Sequence, residues 1–271
     1  MSSPSAAVST LTEPAVPEAF LALANRLADT SGALIRRHFR TPLDIDDKAD
    51  DSPVTAADRG AEEAMRAVIA ETFPDHGIIG EEFEAVNPDA EHVWVLDPID
   101  GTKAFITGKP SFGTLIALLK DGRPWLGVID QPIIGERWIG AAGHGTTLNG
   151  TPAATRDIGR VDAAALYATA PEMFMGEDWP TFQRLYKRVK LPRYGADCYA
   201  YGLLASGFVD IVCEADLKLH DWAAVVPVVE NAGGRVTDWT GAPLVKGADG
   251  HVLAAGGPEV HTAALRVLRE G

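Results

Sequence analysis

The sequence contains few cysteines, no long apolar run and no excess of basic residues. Only two cysteines, Cys198 and Cys213, occur in 271 residues, and their spacing fits neither a metal-ligand motif nor a disulfide framework. No apolar run approaches the ~20 residues that span a membrane. A net charge of −14 and a pI near 4.9 disfavour nucleic acid and anionic membranes as main partners. We therefore expect two buried free thiols and a cytoplasmic protein.

The composition changes along the chain and predicts its organisation. Residues 1–16 are rich in Ser, Ala, Pro and Thr, and they lack the basic start and apolar stretch of a signal peptide. This segment is predicted to be a disordered tail. Residues 17–155 predict helices packed on an antiparallel-rich sheet, whereas residues 156–271 alternate between strand and helix. Because no linker separates the two parts, we expect two subdomains that form one catalytic unit.

The hydrophobic periodicity and turn signals predict most elements of a mixed α/β fold. Helices are predicted over residues 17–40, 56–72, 179–189, 199–205, 222–232 and 258–268. Strands are predicted over residues 78–80, 93–96, 112–119, 125–130, 137–141, 165–169, 208–213 and 252–255. The acidic stretch 44–51 is predicted to be a loop.

The most informative segment is Asp97-Pro98-Ile99-Asp100-Gly101-Thr102, which directly follows the apolar run 93–96. That run predicts a buried strand, so the acidic segment is expected to be a loop at its carboxyl end. Pro98 lacks an N–H group and should end the strand. Two carboxylates three positions apart can converge on one hard cation, and the amides of Gly101 and Thr102 can point at an anion. The segment predicts metal-dependent phosphate chemistry.

Three further acids lie at the edges of predicted elements, where the active sites of layered α/β proteins gather. Glu81 follows the strand 78–80, Asp221 opens the helix 222–232, and Asp58 lies near the start of helix 56–72. Each has a simpler explanation, because any one of them could be a solvated surface acid or a helix cap. Asp221 fits an N-cap, and Thr55 with Asp58 fits a capping box. The combination favours a shared site, although spacing alone does not bring these acids to the loop.

Three motifs in this order resemble those of the inositol monophosphatase superfamily, whose members are magnesium-dependent, lithium-sensitive phosphatases. They are Gly80-Glu81-Glu82, the block from Trp94 through Thr102, and Asp221-Trp222-Ala223-Ala224 with Gly233-Gly234. The resemblance covers the chain after residue 17. It implies a five-layered αβαβα sandwich and a homodimer.

The resemblance also implies a role for each matching residue. The metal ligands would be Glu81, Asp97, the Ile99 carbonyl, Asp100 and Asp221, with Asp97 bridging two of the two or three Mg²⁺ ions; oxygen ligands suit this ion. Thr102 and Asp58 match the pair that orients and deprotonates the attacking water, and Glu81 completes the catalytic set. The phosphate would lie on the amides of Gly101 and Thr102. Direct attack by water would need no phosphoenzyme.

The expected substrate pocket departs from the inositol-type pattern. Those relatives usually have Asn-Phe directly after the loop threonine. This chain instead continues as Lys103-Ala104-Phe105-Ile106-Thr107-Gly108-Lys109-Pro110. The substrate residues implied by position are Gly101, Thr102, Gly195, Ala196, Asp197, Glu214 and Asp221. Two acids, Asp197 and Glu214, would suit a cationic leaving group better than a neutral polyol. In the alternative, Asp197 merely caps the helix that begins near Cys198.

The stretch from Trp94 through Gly140 most resembles the histidinol-phosphate phosphatase branch. This implies hydrolysis of L-histidinol phosphate in histidine biosynthesis, and that substrate carries an ammonium group and an imidazole. The first alternative is an inositol-1-monophosphatase or a relaxed sugar-phosphate phosphatase. A bisphosphate substrate is disfavoured because no basic cluster is evident. A non-catalytic, metal-binding interaction protein is disfavoured by the intact acids and by Thr102.

Overall fold

A computed structural model of the protein describes residues 14–42, 45–47 and 53–270. The described residues leave out most of the predicted tail, residues 1–13. They also leave out residues 44 and 48–51 of the predicted loop. Within the described ranges the helices are α1 (Glu18–His38), α2 (Ala56–Thr72), α3 (Thr102–Ile106), α4 (Asp178–Tyr186), α5 (Tyr199–Ala205), α6 (Leu219–Trp222), α7 (Val225–Glu230) and α8 (Pro258–Arg269). Two short 3-10 helices span Val161–Ala163 and Pro171–Met173.

In the part of the chain that the structure describes, the strands form three sheets. They are β1 (Ile45–Asp47), β2 (Pro53–Thr55), β3 (Gly77–Gly80), β4 (His92–Asp100), β5 (Gly113–Lys120), β6 (Arg123–Gln131), β7 (Glu136–Ala141), β8 (Gly145–Leu148), β9 (Thr151–Pro152), β10 (Ala165–Ala168), β11 (Leu191–Tyr194), β12 (Ile211–Glu214), β13 (Arg235–Thr237) and β14 (Val252–Ala255). Strands β1 and β2 form an antiparallel ribbon. The loop predicted over residues 44–51 is therefore wrong for residues 45–47.

The larger sheet has seven strands in sequence order from β3 to β9. Only β3 and β4 run parallel, and the later neighbours are antiparallel hairpin partners. The smaller sheet has the order β11-β10-β12-β14-β13. In it β10 is parallel to both neighbours, whereas β14 is antiparallel to β12 and β13. The antiparallel-rich first half that the sequence predicts is confirmed.

Helices and sheets alternate in five layers. Helices α1 and α2 pack on one face of the larger sheet, and α5 and α7 lie between the two sheets. Helix α8 covers the far face of the smaller sheet and packs against α4. One buried apolar cluster joins the central helices to both sheets, and separate clusters lie under the outer helices, because every sheet face and amphipathic helix must lose its contact with water. The αβαβα sandwich that the resemblance implies is confirmed.

Helix α7 approaches the larger sheet closely because two glycines lie beneath it. A Cβ atom at Gly127 would lie 2.0 Å from the Ala224 carbonyl oxygen, and one at Gly140 would lie 2.3 Å from the Pro227 carbonyl oxygen. Any side chain at either position would separate the layers. This close packing places α6, which directly precedes α7, against β4.

The helix predicted over residues 222–232 is instead two helices, α6 and α7. Pro227 has no N–H to donate to the carbonyl four residues earlier, so the chain turns at Ala223 and Ala224 before helical structure resumes. Asp221 therefore lies in the third position of α6 and does not open the longer helix.

The N-terminal segment is ordered from residue 14. The Pro14 carbonyl accepts a 2.9 Å hydrogen bond from the Trp125 indole, and Val16 is buried with its amide bonded to the Ala142 carbonyl. For residues 14–16, the prediction of a disordered tail is therefore wrong. In the portion of the chain that the structure describes, no helix has both the length and the apolar character to cross a membrane.

Candidate metal-phosphate site

The acidic segment lies within a strand, not in a loop after it. Strand β4 continues to Asp100, and its pairing with β5 shifts between Asp97 and Asp100, so that one extra residue bulges from β4. Pro98 cannot donate to the ladder, and its carbonyl instead accepts a 2.8 Å hydrogen bond from the Thr114 hydroxyl. The bulge turns Asp97 and Asp100 towards the same edge of the sheet. The predicted end of the strand at residue 96 is thus wrong. The predicted convergence of Asp97 and Asp100 is confirmed.

Glu81 reaches this edge through the parallel pairing of β3 with β4. Gly80 lies opposite Leu96 in the register, and the Glu81 amide donates to the Leu96 carbonyl at 3.2 Å. Glu81, the first residue after β3, therefore comes beside Asp97.

Asp221 completes the cluster from the other half of the chain. Carboxylate oxygens of Asp97, Asp100 and Asp221 lie within 4.8 Å of one another. The Lys218 amide donates to Asp221 Oδ2 at 2.6 Å, which fixes the side chain at the start of α6. Its other oxygen lies 3.6 Å from His220 Nε2. Asp221 thus has a capping role and faces the cluster as well, although Lys218 is the N-cap residue.

Burial and mutual repulsion raise the pKa values of the clustered acids. For Asp97, burial is the main cause, followed by the charges of Glu81 and Asp100. The pKa of Asp100 is raised by burial and then by Asp221. Burial also raises the pKa of Asp221, against the opposing effect of His220. A site that binds protons this readily has an excess of negative charge that a cation would neutralise.

Asp58 is a buried acid near the start of α2, and its charge interacts with that of Glu81. Its Oδ2 accepts from the amide and hydroxyl of Thr55, at 2.9 and 2.5 Å, which confirms the capping box. Its Oδ1 is buried and has no hydrogen-bond partner among the residues that the structure describes. Burial raises the pKa of Asp58, and the charge of Glu81 adds to that effect. The Thr102 hydroxyl donates to the Ile99 carbonyl at 3.1 Å, so no direct bond joins Thr102 to Asp58 in the described structure.

The segment around Asp197 packs directly on the acidic segment. Gly101 has φ +85°, and a Cβ atom there would lie 2.7 Å from Asp197 Cγ. The Cys198 amide donates to Asp100 Oδ2 at 2.7 Å, and the Ser111 hydroxyl donates to Asp197 Oδ2 at 2.7 Å. Helix α5 has no side-chain cap. The alternative in which Asp197 only caps that helix is therefore wrong.

Glu214 is a buried acid whose two oxygens are both held. Oε1 accepts from the Thr169 amide and Oε2 from the Tyr201 hydroxyl, each at 2.7 Å. Burial raises its pKa, and these two hydrogen bonds act in the opposite direction. The carboxyl group consequently has a fixed position at the base of the cleft.

A cleft of about 230 Å³ joins these groups. The predicted site residues that line it are Glu81, Asp100, Gly101, Thr102, Asp197, Glu214 and Asp221. Asp97 is buried beneath them, and Ala196 lies in the central core. Among the described residues of the lining, Lys103 is the only cationic side chain. Lys103, Thr169 and Tyr201 also line the cleft, and no role was predicted for them from sequence. The first could have been found from its position directly after Thr102.

The donor set fits a hard divalent cation such as Mg²⁺. The three clustered side chains, Asp97, Asp100 and Asp221, all offer oxygen ligands, and burial together with neighbouring negative charges raises their pKa values. The Ile99 carbonyl retains a second lone pair beside its bond to Thr102. The unpartnered Asp58 Oδ1 is a buried acceptor that a bound water would satisfy.

Known proteins are similar to this chain in both sequence and fold. The sequence profile of the inositol monophosphatase family matches residues 17–271. The chloroplastic bifunctional phosphatase IMPL2 of Arabidopsis thaliana is 52% identical over 258 residues, which cover 92% of this chain and 75% of the relative. A histidinol-phosphatase of Chlorobaculum parvum is 38% identical over 238 residues, or 86% of this chain and 91% of the relative. An inositol monophosphatase from Zymomonas mobilis superposes with a TM-score of 0.86 at 49% identity, over 93% of this chain and 98% of that one.

Proposed function

The chain belongs to the inositol monophosphatase family and is a phosphoric monoester hydrolase, and from that premise we propose that it is a Mg²⁺-dependent histidinol-phosphate phosphatase. The reaction would convert L-histidinol phosphate and water to L-histidinol and phosphate. The names of two similar proteins, a histidinol-phosphatase and a bifunctional phosphatase, support this proposal.

The observation that carries the substrate proposal is the pair of acids outside the metal cluster. Asp197 and Glu214 both line the cleft, and each has its carboxyl group fixed by hydrogen bonds. In the described structure no hydrogen bond reaches Asp197 Oδ1, so this oxygen is available to a ligand. A substrate with an ammonium group would gain charge-assisted hydrogen bonds there, whereas a neutral polyol would gain only ordinary ones.

The metal site would be held by Glu81, Asp97, the Ile99 carbonyl, Asp100 and Asp221. When bound, Mg²⁺ supplies Lewis-acid polarisation of the phosphate oxygens and lowers the pKa of a water. The crowded carboxylates would then lose their excess repulsion.

The remaining residues would bind the phosphate and move the proton of the attacking water. The amides of Gly101 and Thr102 would donate to the phosphate oxygens, since Gly101 begins α3 in a left-handed conformation. Asp58 Oδ1 would accept the proton, because it has no hydrogen-bond partner within the described ranges and burial raises the pKa of this carboxyl group. Thr102 would orient the water through its hydroxyl group.

Lys103 is a candidate for neutralising the second charge of the phosphate. Its side chain is exposed and lines a cleft that is otherwise acidic. A phosphomonoester that approaches five lining acids needs such a cation to offset their repulsion.

A panel of phosphomonoesters tests the proposed function. With Mg²⁺ present, kcat/KM for L-histidinol phosphate should exceed that for inositol 1-phosphate and for neutral sugar phosphates. A value for inositol 1-phosphate equal to or above that for histidinol phosphate would favour the inositol-1-monophosphatase alternative. Absence of phosphate release from every ester would favour the non-catalytic, metal-binding protein.

The substitution Asp197→Asn tests the role of charge at the cleft. Asp197 has φ +48°, a conformation that asparagine tolerates and alanine does not. Asparagine also keeps an acceptor for Ser111. The variant should raise KM for histidinol phosphate about tenfold, corresponding to about 1.4 kcal/mol, and leave KM for inositol 1-phosphate unchanged. An equal effect on both esters would assign Asp197 a structural role only. Lithium sensitivity, a homodimer and a cytoplasmic location stay predictions.

A further inference from the structure

Helix α2 contributes a buried carboxylate that touches the residues on both sides of Glu81. The Glu62 side chain is fully buried. Its Oε2 accepts a 2.8 Å hydrogen bond from the Glu82 amide. On the other side of Glu81, a Cβ atom at Gly80 would lie 1.9 Å from Glu62 Oε1. Glycine at position 80 is therefore required for the carboxylate to lie against the backbone of this loop.

Arg66 extends the same contact along the loop. Its Nε donates to Glu62 Oε1 at 2.7 Å. Its two terminal nitrogens donate to the carbonyls of Phe83 and Glu84, at 2.9 and 3.1 Å, and its guanidinium lies 5.8 Å from the centroid of the Phe83 ring. Only 14% of the Arg66 side chain is exposed. Each of the three guanidinium nitrogens thus donates one hydrogen bond, to one carboxylate and two consecutive carbonyls.

The spacing of these side chains on α2 links the loop to the proposed proton acceptor. Asp58, Glu62 and Arg66 follow one another at intervals of four residues and so share one face of the helix. Asp58 interacts electrostatically with Glu81. One helix face therefore holds the loop around Glu81 and also presents Asp58 to the same site.

We propose that the Glu62–Arg66 ion pair is a positioning device that holds Glu81 in place for metal binding. This inference rests on the proposed metal-dependent phosphatase function. A loop that follows a short strand would otherwise be free to move, and a carboxylate on it would lose conformational freedom each time a cation bound. The ion pair orders the loop before the cation arrives. Because Glu62 carries its own counter-charge, it does this without adding net repulsion to the acidic cluster.

Two conservative substitutions separate positioning from packing. Glu62→Gln keeps the volume of the side chain and an acceptor for the Glu82 amide, but it places an amide group against Arg66. Arg66→Lys keeps the charge opposite Glu62 but loses the planar fork that contacts the Phe83 and Glu84 carbonyls. We expect each variant to raise the Mg²⁺ concentration for half-maximal activity about tenfold, as is typical when partners of a metal ligand are changed. At saturating Mg²⁺, kcat and KM for the phosphate ester should return to wild-type values.

Two readouts do not depend on turnover. Hydrogen exchange of the amides of residues 82–84 should be faster in both metal-free variants than in the metal-free wild type, and the increase in Tm on adding Mg²⁺ should be smaller. Arg26→Lys is the matched control, because the Arg26–Glu71 pair also involves α2 but both side chains are exposed, at 53% and 69%. It should match the wild type in every measurement.

The outcomes distinguish this inference from the proposed function. Wild-type Mg²⁺ half-saturation in both variants, or a kcat that saturating Mg²⁺ fails to restore, would overturn the positioning role. A wild-type protein that releases no phosphate with Mg²⁺ would refute the proposed function instead. In that event, unchanged exchange at residues 82–84 and an unchanged Mg²⁺-induced Tm shift would still overturn the positioning role.

Discussion

Replacing Asp97 by asparagine should stabilise the metal-free protein and abolish its Mg²⁺-dependent turnover. Asp97 is 2% exposed, and its Oδ1 accepts a 3.0 Å hydrogen bond from the Ile99 amide. The Oδ1 of an asparagine can accept the same bond, so the substitution removes the charge and keeps the bulge. The stabilisation comes from the repulsion that the substitution relieves, which is the same repulsion that a bound cation would neutralise.

The magnitude follows from the geometry of the cluster. Two unit charges 4.8 Å apart repel by about 3.5 kcal/mol at an effective dielectric constant of about 20. The crowded acids already relieve part of this by retaining protons, because the pKa of Asp97 is raised well above its usual range. We therefore expect a gain of about 1–3 kcal/mol in the free energy of unfolding, equivalent to about 2–10 °C in Tm for a chain of this size.

The pH dependence fixes the sign of the effect. Because the pKa of Asp97 is higher in the folded than in the unfolded chain, the folded state binds the proton more tightly. The stability that this group contributes is fully present below the unfolded-state pKa of about 3.9 and is lost as the pH rises through the folded-state pKa. In chelator, the wild-type Tm should fall over this window, and the curve of the variant should decline less.

Thermal melts of both proteins in chelator and in Mg²⁺, across this pH range, provide the assay. Mg²⁺ should raise the wild-type Tm clearly and that of the variant much less. The reasoning would be refuted if the variant in chelator melted at or below the wild-type temperature at neutral pH. It would also be refuted if Mg²⁺ stabilised both proteins equally.

Three further substitutions test separate parts of the cleft. Gly101→Ala places a Cβ atom against Asp197 at a residue with φ +85°. The free energy of unfolding, measured with denaturant, should fall by about 1–3 kcal/mol, and kcat/KM should fall for every ester. Glu214→Gln places an amide group opposite the donors from Thr169 and Tyr201. The free energy of unfolding in urea should fall by about 1–3 kcal/mol. An unchanged unfolding midpoint would contradict a stabilising role for those hydrogen bonds. Lys103→Ala should raise KM for all esters and the inhibition constant of inorganic phosphate by a common factor, and Lys103→Arg should restore both.

Local signals in the sequence were sufficient where they agreed with the packing. The bounds of α2 match the prediction because the Thr55–Asp58 capping box fixes its start and the apolar period continues to Ile69. The end of β4 could not be predicted, since a bulge exists only relative to its partner strand. Pro227 carried the signal that divides α6 from α7, but the strongly apolar sequence around it favoured one continuous helix.

The candidate site was predictable only in its local part. Asp97 and Asp100 are close in sequence, so the motif alone indicated a cation site, whereas Asp221 required the resemblance to known proteins. Glu62 could not be found in this way, because an acid on an amphipathic helix is typical of a solvated face. Its burial follows from the close approach of Gly80, a contact between two elements that the sequence does not encode locally.

The acidic cluster has a consequence for the order of folding. Its carboxylates come from β4 and α6, and the Cys198 amide that bonds Asp100 precedes α5. These segments are far apart in the chain, and the loop-closure entropy of such contacts must be overcome before they add stability. We therefore expect the cluster to form only after α6 and the segment before α5 have packed against β4. During refolding, the response to Mg²⁺ should appear after secondary structure has formed, which makes cation binding a reporter of the completed native topology.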